Sequence, residues 1–132
     1  MPLHPLAQAF LDQRAAAGAK PYDTLTVDEA RAMAIAMSKL LGPGEEVAKV
    51  EDRAIPSPHG DIPIRIYSPN GAGPFPVCVY FHGGGWVIGN LETVDVSCRA
   101  LTNAAQCVLV SVNYRHAPEH KYQPGDFVDA PE

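Results

Sequence analysis

A chain of 132 residues with 46% hydrophobic residues has the size and composition of one globular domain or of a part of one. Its net charge of −5, without a basic stripe, argues against a nucleic-acid partner. The longest apolar runs, such as PVCVYF, are far too short to span a bilayer, and the first residues lack the pattern of a signal peptide. We therefore expect a cytoplasmic protein without a membrane partner.

Two helices are predicted in the first third of the chain. The first covers residues 5–17, and the second covers residues 27–41. Thr26 and Glu29 form a T-x-x-E capping box at the start of the second helix, and a Gly-Pro pair stops it. The Met and Leu stripe of this helix favours packing over a ligand groove.

After the second helix the pattern changes to strands separated by turns rich in Pro and Gly. Residues 47–54 and 62–67 predict two strands, and the second alternates like a half-buried antiparallel strand. The apolar run at residues 76–81 predicts a strand covered on both faces. A helix at residues 93–106 and a second apolar strand at residues 107–114 complete a βαβ unit. The predicted fold class is therefore α/β, with two helices preceding a set of strands.

Three consecutive glycines follow the first apolar strand, within FHGGGWVIGN. Without side chains in the way, their N–H groups can turn toward a phosphate or toward an oxygen that gains negative charge during a reaction. The phosphate pattern G-x-G-x-x-G would need a glycine at Ile88, but the next glycine is Gly89, and no G-K-[ST] follows. An HGGG loop directly after a strand fits an oxyanion site better.

Two segments of the chain resemble one known family. FHGGGWVIGNLETVD is similar to the glycine loop and following helix start of the hormone-sensitive-lipase-like carboxylesterases, and VSVNYRHAPEHKY resembles their YRLAPEH-type segment. The resemblance implies an α/β-hydrolase fold. It implies an N-terminal helical cap region at residues 1–45, which lies over the active site, and an incomplete hydrolase core at residues 46–132.

The resemblance also assigns roles within the loop. Gly83 and Gly84 would supply oxyanion N–H donors, and Gly85 would keep the loop open. His82 would hold the loop in place and would not act as the catalytic base. Trp86 is expected to pack near the pocket, although ordinary core packing would explain it as well.

The second matching segment implies a structural turn that braces the floor of the active site. It contains Tyr114, Arg115, Pro118 and Glu119. An Arg–Glu contact within this turn is expected, either as a brace or as a solvated pair of little energetic weight.

The serine that acyl transfer would require is not evident in this sequence. The family places its nucleophile in G-x-S-x-G on a sharp strand-to-helix turn. The chain has five serines, none of them in that context: Ser38, Ser57, Ser68, Ser97 and Ser111. Nucleophile, acid and catalytic histidine all follow the YRLAPEH-type segment in the family. We therefore expect an N-terminal part of an esterase that hydrolyses small acyl esters only when complete.

The last residues, HKYQPGDFVDAPE, depart from the helix that the family has at this place. Asp126 or Asp129 echoes an acidic position of that helix, but the register is broken. A truncated gene, a frameshift or a deliberate fragment would each produce this pattern.

Two interpretations from other classes stay open. One is a non-catalytic interaction module that self-associates through exposed sheet edges. The other is a nucleotide-binding βαβ protein. A zinc site at His116 and His120 is disfavoured because Pro118 lies between them and no third ligand is near. No cofactor or metal is implied.

The cysteines are expected to be small, buried and unpaired side chains, because each lies in an apolar stretch and the spacings do not suit a metal. They are Cys78, Cys98 and Cys107.

Overall fold

A computed structural model describes residues 2–121 of the chain. These residues form three α-helices, a short 3₁₀ turn and four β-strands, which confirms the predicted α/β class. In chain order the elements are α1 (Pro5–Ala16), the 3₁₀ turn (Tyr22–Thr24), α2 (Val27–Lys39), β1 (Lys49–Ile55), β2 (Ile62–Ser68), β3 (Val77–Phe81), α3 (Leu91–Ala105) and β4 (Val108–Val112). The predictions that concern Asp126 and Asp129 lie outside the described residues.

Two capping boxes define where the longer helices begin. The predicted box at α2 is confirmed: Glu29 N–H donates to Thr26 Oγ1, and Thr26 N–H donates to Glu29 Oε2 at 2.8 Å. A second box lies at α3, where Thr93 N–H donates to Asn90 Oδ1 at 3.0 Å. Asn90 is therefore the N-cap, and α3 begins at Leu91, two residues before the predicted start.

The strands form one mixed sheet in the order β1-β2-β4-β3. β1 and β2 are an antiparallel hairpin, and β2 also pairs antiparallel with β4. β3 pairs parallel with β4, with α3 as the crossover between them. The predicted βαβ unit is therefore confirmed.

The core lies between the sheet and α3. Tyr67 of β2, Cys98 of α3 and Leu109 of β4 are each 0% exposed, and Cys107 packs with them. The phenol hydroxyl of Tyr67 remains satisfied because it donates to Asp95 Oδ1 at 2.8 Å. Two of the three cysteines are thus buried as expected.

The prediction that β3 is covered on both faces is wrong for the described residues. Val77 is 67% exposed, Val79 53% and Phe81 65%, and Cys78 is exposed as well, contrary to expectation. Within residues 2–121, β3 is the outer strand and pairs only with β4, and no described helix packs extensively against it. The apolar run predicts that the faces of β3 are suited to burial. Whether they are buried depends on a helix or strand elsewhere in the fold that packs against them.

The two helices that precede the sheet differ in how closely they are attached. Within residues 2–121, α1 has no buried residue, whereas α2 buries Ala30 and contacts α3. Leu40 and Leu41, the last two residues of the range predicted for this helix and part of its Met and Leu stripe, instead follow α2 and are exposed. No helix among the described residues has the length and apolarity needed to cross a bilayer. The division at residue 45 stays a prediction.

Candidate active site

The glycine loop leaves the end of β3 and folds back on itself in a tight turn. The carbonyl of Gly84 accepts hydrogen bonds from the N–H groups of Val87 and Ile88 at 3.1 and 3.0 Å. Gly84 has a φ of +137°, and a Cβ there would overlap the Ile88 carbonyl oxygen and lie 2.6 Å from its carbon. A residue with a side chain cannot adopt this turn without moving the Ile88 peptide.

A second glycine closes the loop. Gly89 has a φ of +95°, and a Cβ there would lie 2.6 Å from His82 Nδ1 and 2.7 Å from the carbonyl oxygen of Gly83. The end of the loop, at Gly89, therefore packs directly against its beginning, at His82 and Gly83. Sequence analysis did not assign a role to Gly89, although it is the fourth glycine within seven residues and that density was the available signal.

The other two glycines meet no such steric limit. A Cβ added at Gly83 or Gly85 would have no atom within 4 Å, and the φ of Gly83 is not positive. The N–H groups of Gly83, Gly84 and Gly85 donate no hydrogen bond within residues 2–121. The loop lines a cleft of about 420 Å³, together with four other residues: Phe81, His82, Trp86 and Tyr114.

His82 anchors the start of the loop. It is 3% exposed, its ring stacks on that of Tyr114 with centroids 4.5 Å apart, and its carbonyl accepts the Tyr114 hydroxyl at 2.6 Å. Burial raises the pKa of Tyr114, which keeps the phenol protonated as a donor. His82 Nδ1 lies 2.9 Å from the carbonyl oxygen of Gly83, so the ring proton belongs on Nδ1, because a carbonyl can only accept.

Trp86 lies at the rim of the cleft and not in the core. Its side chain is 75% exposed, which excludes ordinary core packing within the described residues. Its φ is +59°, an uncommon conformation for a non-glycine residue. Its carbonyl accepts the N–H of Ala117 at 2.9 Å, which joins the glycine loop to the second segment of interest.

The prediction that Glu119 pairs with Arg115 within that second segment is wrong. Glu119 pairs with Arg31 of α2 at 2.7 and 2.8 Å, whereas Arg115 reaches the carbonyl of His59 at 3.5 Å. The hydrogen bonds from Arg31 lower the pKa of Glu119 to about 2. Pro118 follows Ala117 through a cis peptide bond.

Arg31 is the residue of this region that sequence analysis missed. It lies on α2, 88 positions before Glu119, and no local pattern connects the two. Its position also affects His116, whose pKa is lowered by burial and by the nearby His82 and Arg31. Among residues 2–121, no group of three or more His, Cys, Asp or Glu side chains could hold a metal ion.

None of the five serines lines the glycine cleft. Ser38 donates to the carbonyl of Ile35 within α2, Ser97 is exposed on α3, and Ser111 is 0% exposed in β4. Among the described residues, the cleft is thus lined by three glycines whose N–H groups donate no hydrogen bond, and no serine lies beside them.

Comparison with known families gives the class of protein first. A family model described as "alpha/beta hydrolase fold" matches residues 78–130, a range that begins in β3 and includes the whole glycine loop. The matched range also contains α3, β4 and the turn of Glu119.

Individual relatives define the family more narrowly. The chain is 46% identical over 79 residues to the carboxylic ester hydrolase LipN of Mycobacterium tuberculosis, covering 59% of this chain and 21% of the relative. It is 34% identical over 122 residues to an arylesterase of Saccharolobus solfataricus, covering 92% of this chain and 40% of the relative. A solved hyperthermophilic esterase of the archaeon Pyrobaculum calidifontis superposes with a TM-score of 0.83 at 40% identity, over 92% of this chain and 39% of that one.

Together these matches support the hormone-sensitive-lipase-like carboxylesterase family of the α/β-hydrolase fold, with this chain similar to a partial, N-terminal region of its members. The chain spans about one fifth to two fifths of the length of these relatives.

Proposed function

We propose that this chain supplies one side of the oxyanion hole of an enzyme that hydrolyses small carboxylic esters. The observation that supports this most is that Gly83, Gly84 and Gly85 line a cleft and that their N–H groups donate no hydrogen bond within residues 2–121. Attack on an ester places negative charge on the former carbonyl oxygen, and prepositioned amide donors stabilise that charge. Removal of one such donor typically lowers kcat about 10²- to 10³-fold.

The remaining parts of the reaction would come from residues outside this sequence. No G-x-S-x-G is present, so the attacking serine and its base are expected in the segment that the longer relatives possess. The 132-residue chain alone is therefore expected to be inactive and to need no cofactor. The cytoplasm is the compartment we propose, because all three cysteines are unpaired.

The first test is hydrolysis of p-nitrophenyl acetate and butyrate by the purified chain. We expect no turnover above that of buffer with free histidine. Turnover well above this background would show that the chain contains a nucleophile that the G-x-S-x-G criterion misses.

A chimera provides the positive test. Residues 1–121 would replace the segment that they match in the S. solfataricus arylesterase, so that the relative supplies the rest of the enzyme. We expect ester hydrolysis that Gly83→Val lowers at least about tenfold, because the side chain would enter open space at the cleft. Gly60→Ala, in the β1–β2 turn, is the control. Hydrolysis that is unaffected by Gly83→Val would contradict the proposed role of the loop.

A specific observation also favours association of this chain with a second copy of itself. The two outer strands of the sheet differ in chemistry: β1 carries Lys49, Glu51, Asp52 and Arg53, whereas β3 carries no charge. Charged edges resist pairing with further strands, and uncharged apolar edges permit it. We propose that two copies pair β3 against β3 in antiparallel fashion, with Val79 near the two-fold axis.

A further inference from the structure

Arg31 of α2 makes four hydrogen bonds to three different partners. Its Nε donates to the carbonyl of Val87 at 2.9 Å. Its Nη1 and Nη2 donate to the two carboxylate oxygens of Glu119 at 2.7 and 2.8 Å, and Nη2 also donates to the carbonyl of Ala117 at 3.0 Å. The planar guanidinium is suited to this geometry because its donors point in fixed, divergent directions.

Two of these partners belong to the glycine loop and its neighbour. Val87 is the residue whose N–H binds the carbonyl of Gly84, so the same peptide segment is held by Gly84 on one side and by Arg31 on the other. The preceding carbonyl, that of Trp86, is held by the N–H of Ala117. The turn that contains Gly84 is therefore bound by residues outside it at two consecutive carbonyls, that of Trp86 by the Ala117 N–H and that of Val87 by Arg31.

The contacts form a closed circuit. Ala117 N–H binds the Trp86 carbonyl, the Ala117 carbonyl binds Arg31, and Arg31 binds the Val87 carbonyl. Loop, turn and helix α2 are thus connected pairwise, and Arg31 provides both links to the helix. The Arg31 side chain is only 28% exposed, and Glu119 balances its charge there.

We propose that Arg31 is a positioning residue for the glycine loop, through which the placement of α2 sets the direction of the amides that line the cleft. The proposal rests on the proposed function for its chemical meaning. The structural part of the proposal can be tested separately. It states that the loop geometry depends on the Arg31–Val87 hydrogen bond and not only on the ion pair between Arg31 and Glu119.

Amide hydrogen exchange on the 132-residue chain, read by NMR, tests that content. Arg31→Ala is expected to lower the protection of the Val87, Ile88 and Ala117 amides about tenfold or more, because local opening of the turn becomes easier. Glu119→Gln removes the ion pair but leaves the Arg31–Val87 bond, so we expect a smaller loss at Val87 and Ile88. Arg53→Ala, on an exposed arginine of β1 that pairs with Glu51, is the matched control.

The outcomes separate positioning from a general stabilising role. Equal losses in Arg31→Ala and Glu119→Gln, a loss spread evenly over the sheet amides, or unchanged loop protection would each overturn the proposal. Arg31→Lys serves if Arg31→Ala does not fold. A single ammonium can retain the pair with Glu119 but cannot also reach Val87 and Ala117. We therefore expect Arg31→Lys to keep most of the thermal stability and to lose the loop protection.

Kinetics of the chimera give the second readout. Arg31→Ala there is expected to lower kcat while leaving KM nearly unchanged, because misdirected donors affect the charged intermediate more than the bound ester. Equal changes in kcat and KM would contradict positioning. If the parent chimera itself does not hydrolyse ester, the proposed function fails, while hydrogen exchange still decides the role of Arg31.

Discussion

Substitution of Gly84 by alanine tests the most constrained point of the glycine loop. A Cβ at this position would overlap the carbonyl oxygen of Ile88 and lie 2.6 Å from its carbon, and the φ of +137° is rarely adopted by residues with side chains. Such backbone strain costs about 1 to 3 kcal/mol. Moving the Ile88 carbonyl away would also disturb the adjacent hydrogen bond from the Ile88 N–H to the Gly84 carbonyl, which has a net contribution of about 0.5 to 1.5 kcal/mol.

Together these costs predict that Gly84→Ala lowers the free energy of unfolding by about 1.5 to 4.5 kcal/mol. Gly60→Ala is the matched control, because Gly60 also has a positive φ of +105° but no atom within 4 Å of an added Cβ. That control should show only the strain, about 1 to 3 kcal/mol. The difference between the two variants isolates the steric conflict with Ile88.

Urea unfolding followed by far-UV circular dichroism measures both variants, with the slope m checked for equality so that the midpoints can be compared. Gly83→Ala belongs in the same series, since its Cβ would meet no atom and its φ is not positive. We expect it to be within about 1 kcal/mol of the parent. If Gly84→Ala were no more destabilising than Gly60→Ala, the close approach of Gly84 to Ile88 would not exist in solution.

Three further outcomes are expected. Glu119 has a folded-state pKa of about 2 against an ordinary 4.5, so its stabilising effect is present above about pH 4.5 and is lost as the pH falls toward 2. The melting temperature of Glu119→Gln should therefore fall less than that of the parent between pH 5 and pH 3. Parallel curves of melting temperature against pH for the two proteins would contradict this. Tyr114→Phe removes the donor to the buried His82 carbonyl and should cost about 1 to 2 kcal/mol in urea unfolding, whereas a cost near zero would mean that water replaces the bond. Val79→Lys should abolish any concentration-dependent dimer seen by light scattering, while Ile55→Lys on the opposite edge should not; equal effects of the two would rule out β3 as the interface.

Local patterns in the sequence carry much of this architecture. The capping box of Thr26 and Glu29 predicts the start of α2 because both partners lie within one helical turn. The βαβ unit follows from two apolar runs that enclose a helical pattern, and its parallel pairing is confirmed. In the capping box the interacting residues are close in sequence. In the βαβ unit the connection between the two strands follows the general rule for the handedness of such crossovers.

Features that depend on tertiary placement could not be predicted in the same way. Glu119 takes Arg31 and not Arg115 as its partner, because the fold brings α2 beside the turn and the sequence does not encode that distance locally. The exposure of Val79 in β3 is a similar case: apolar residues indicate a surface suited to burial, whereas burial itself depends on what lies next to the strand. The steric need for Gly84 became visible only with the position of Ile88.

The three glycine-loop N–H groups that donate no hydrogen bond to any described residue belong to the main chain. An alanine scan, which alters side chains, would leave every one of these N–H groups in place and would register only the bulk and the backbone strain that an added methyl group brings. Detection of such donors requires altering the backbone itself. Semisynthesis that replaces one amide at a time by an ester linkage would delete each N–H while leaving the side chains unchanged.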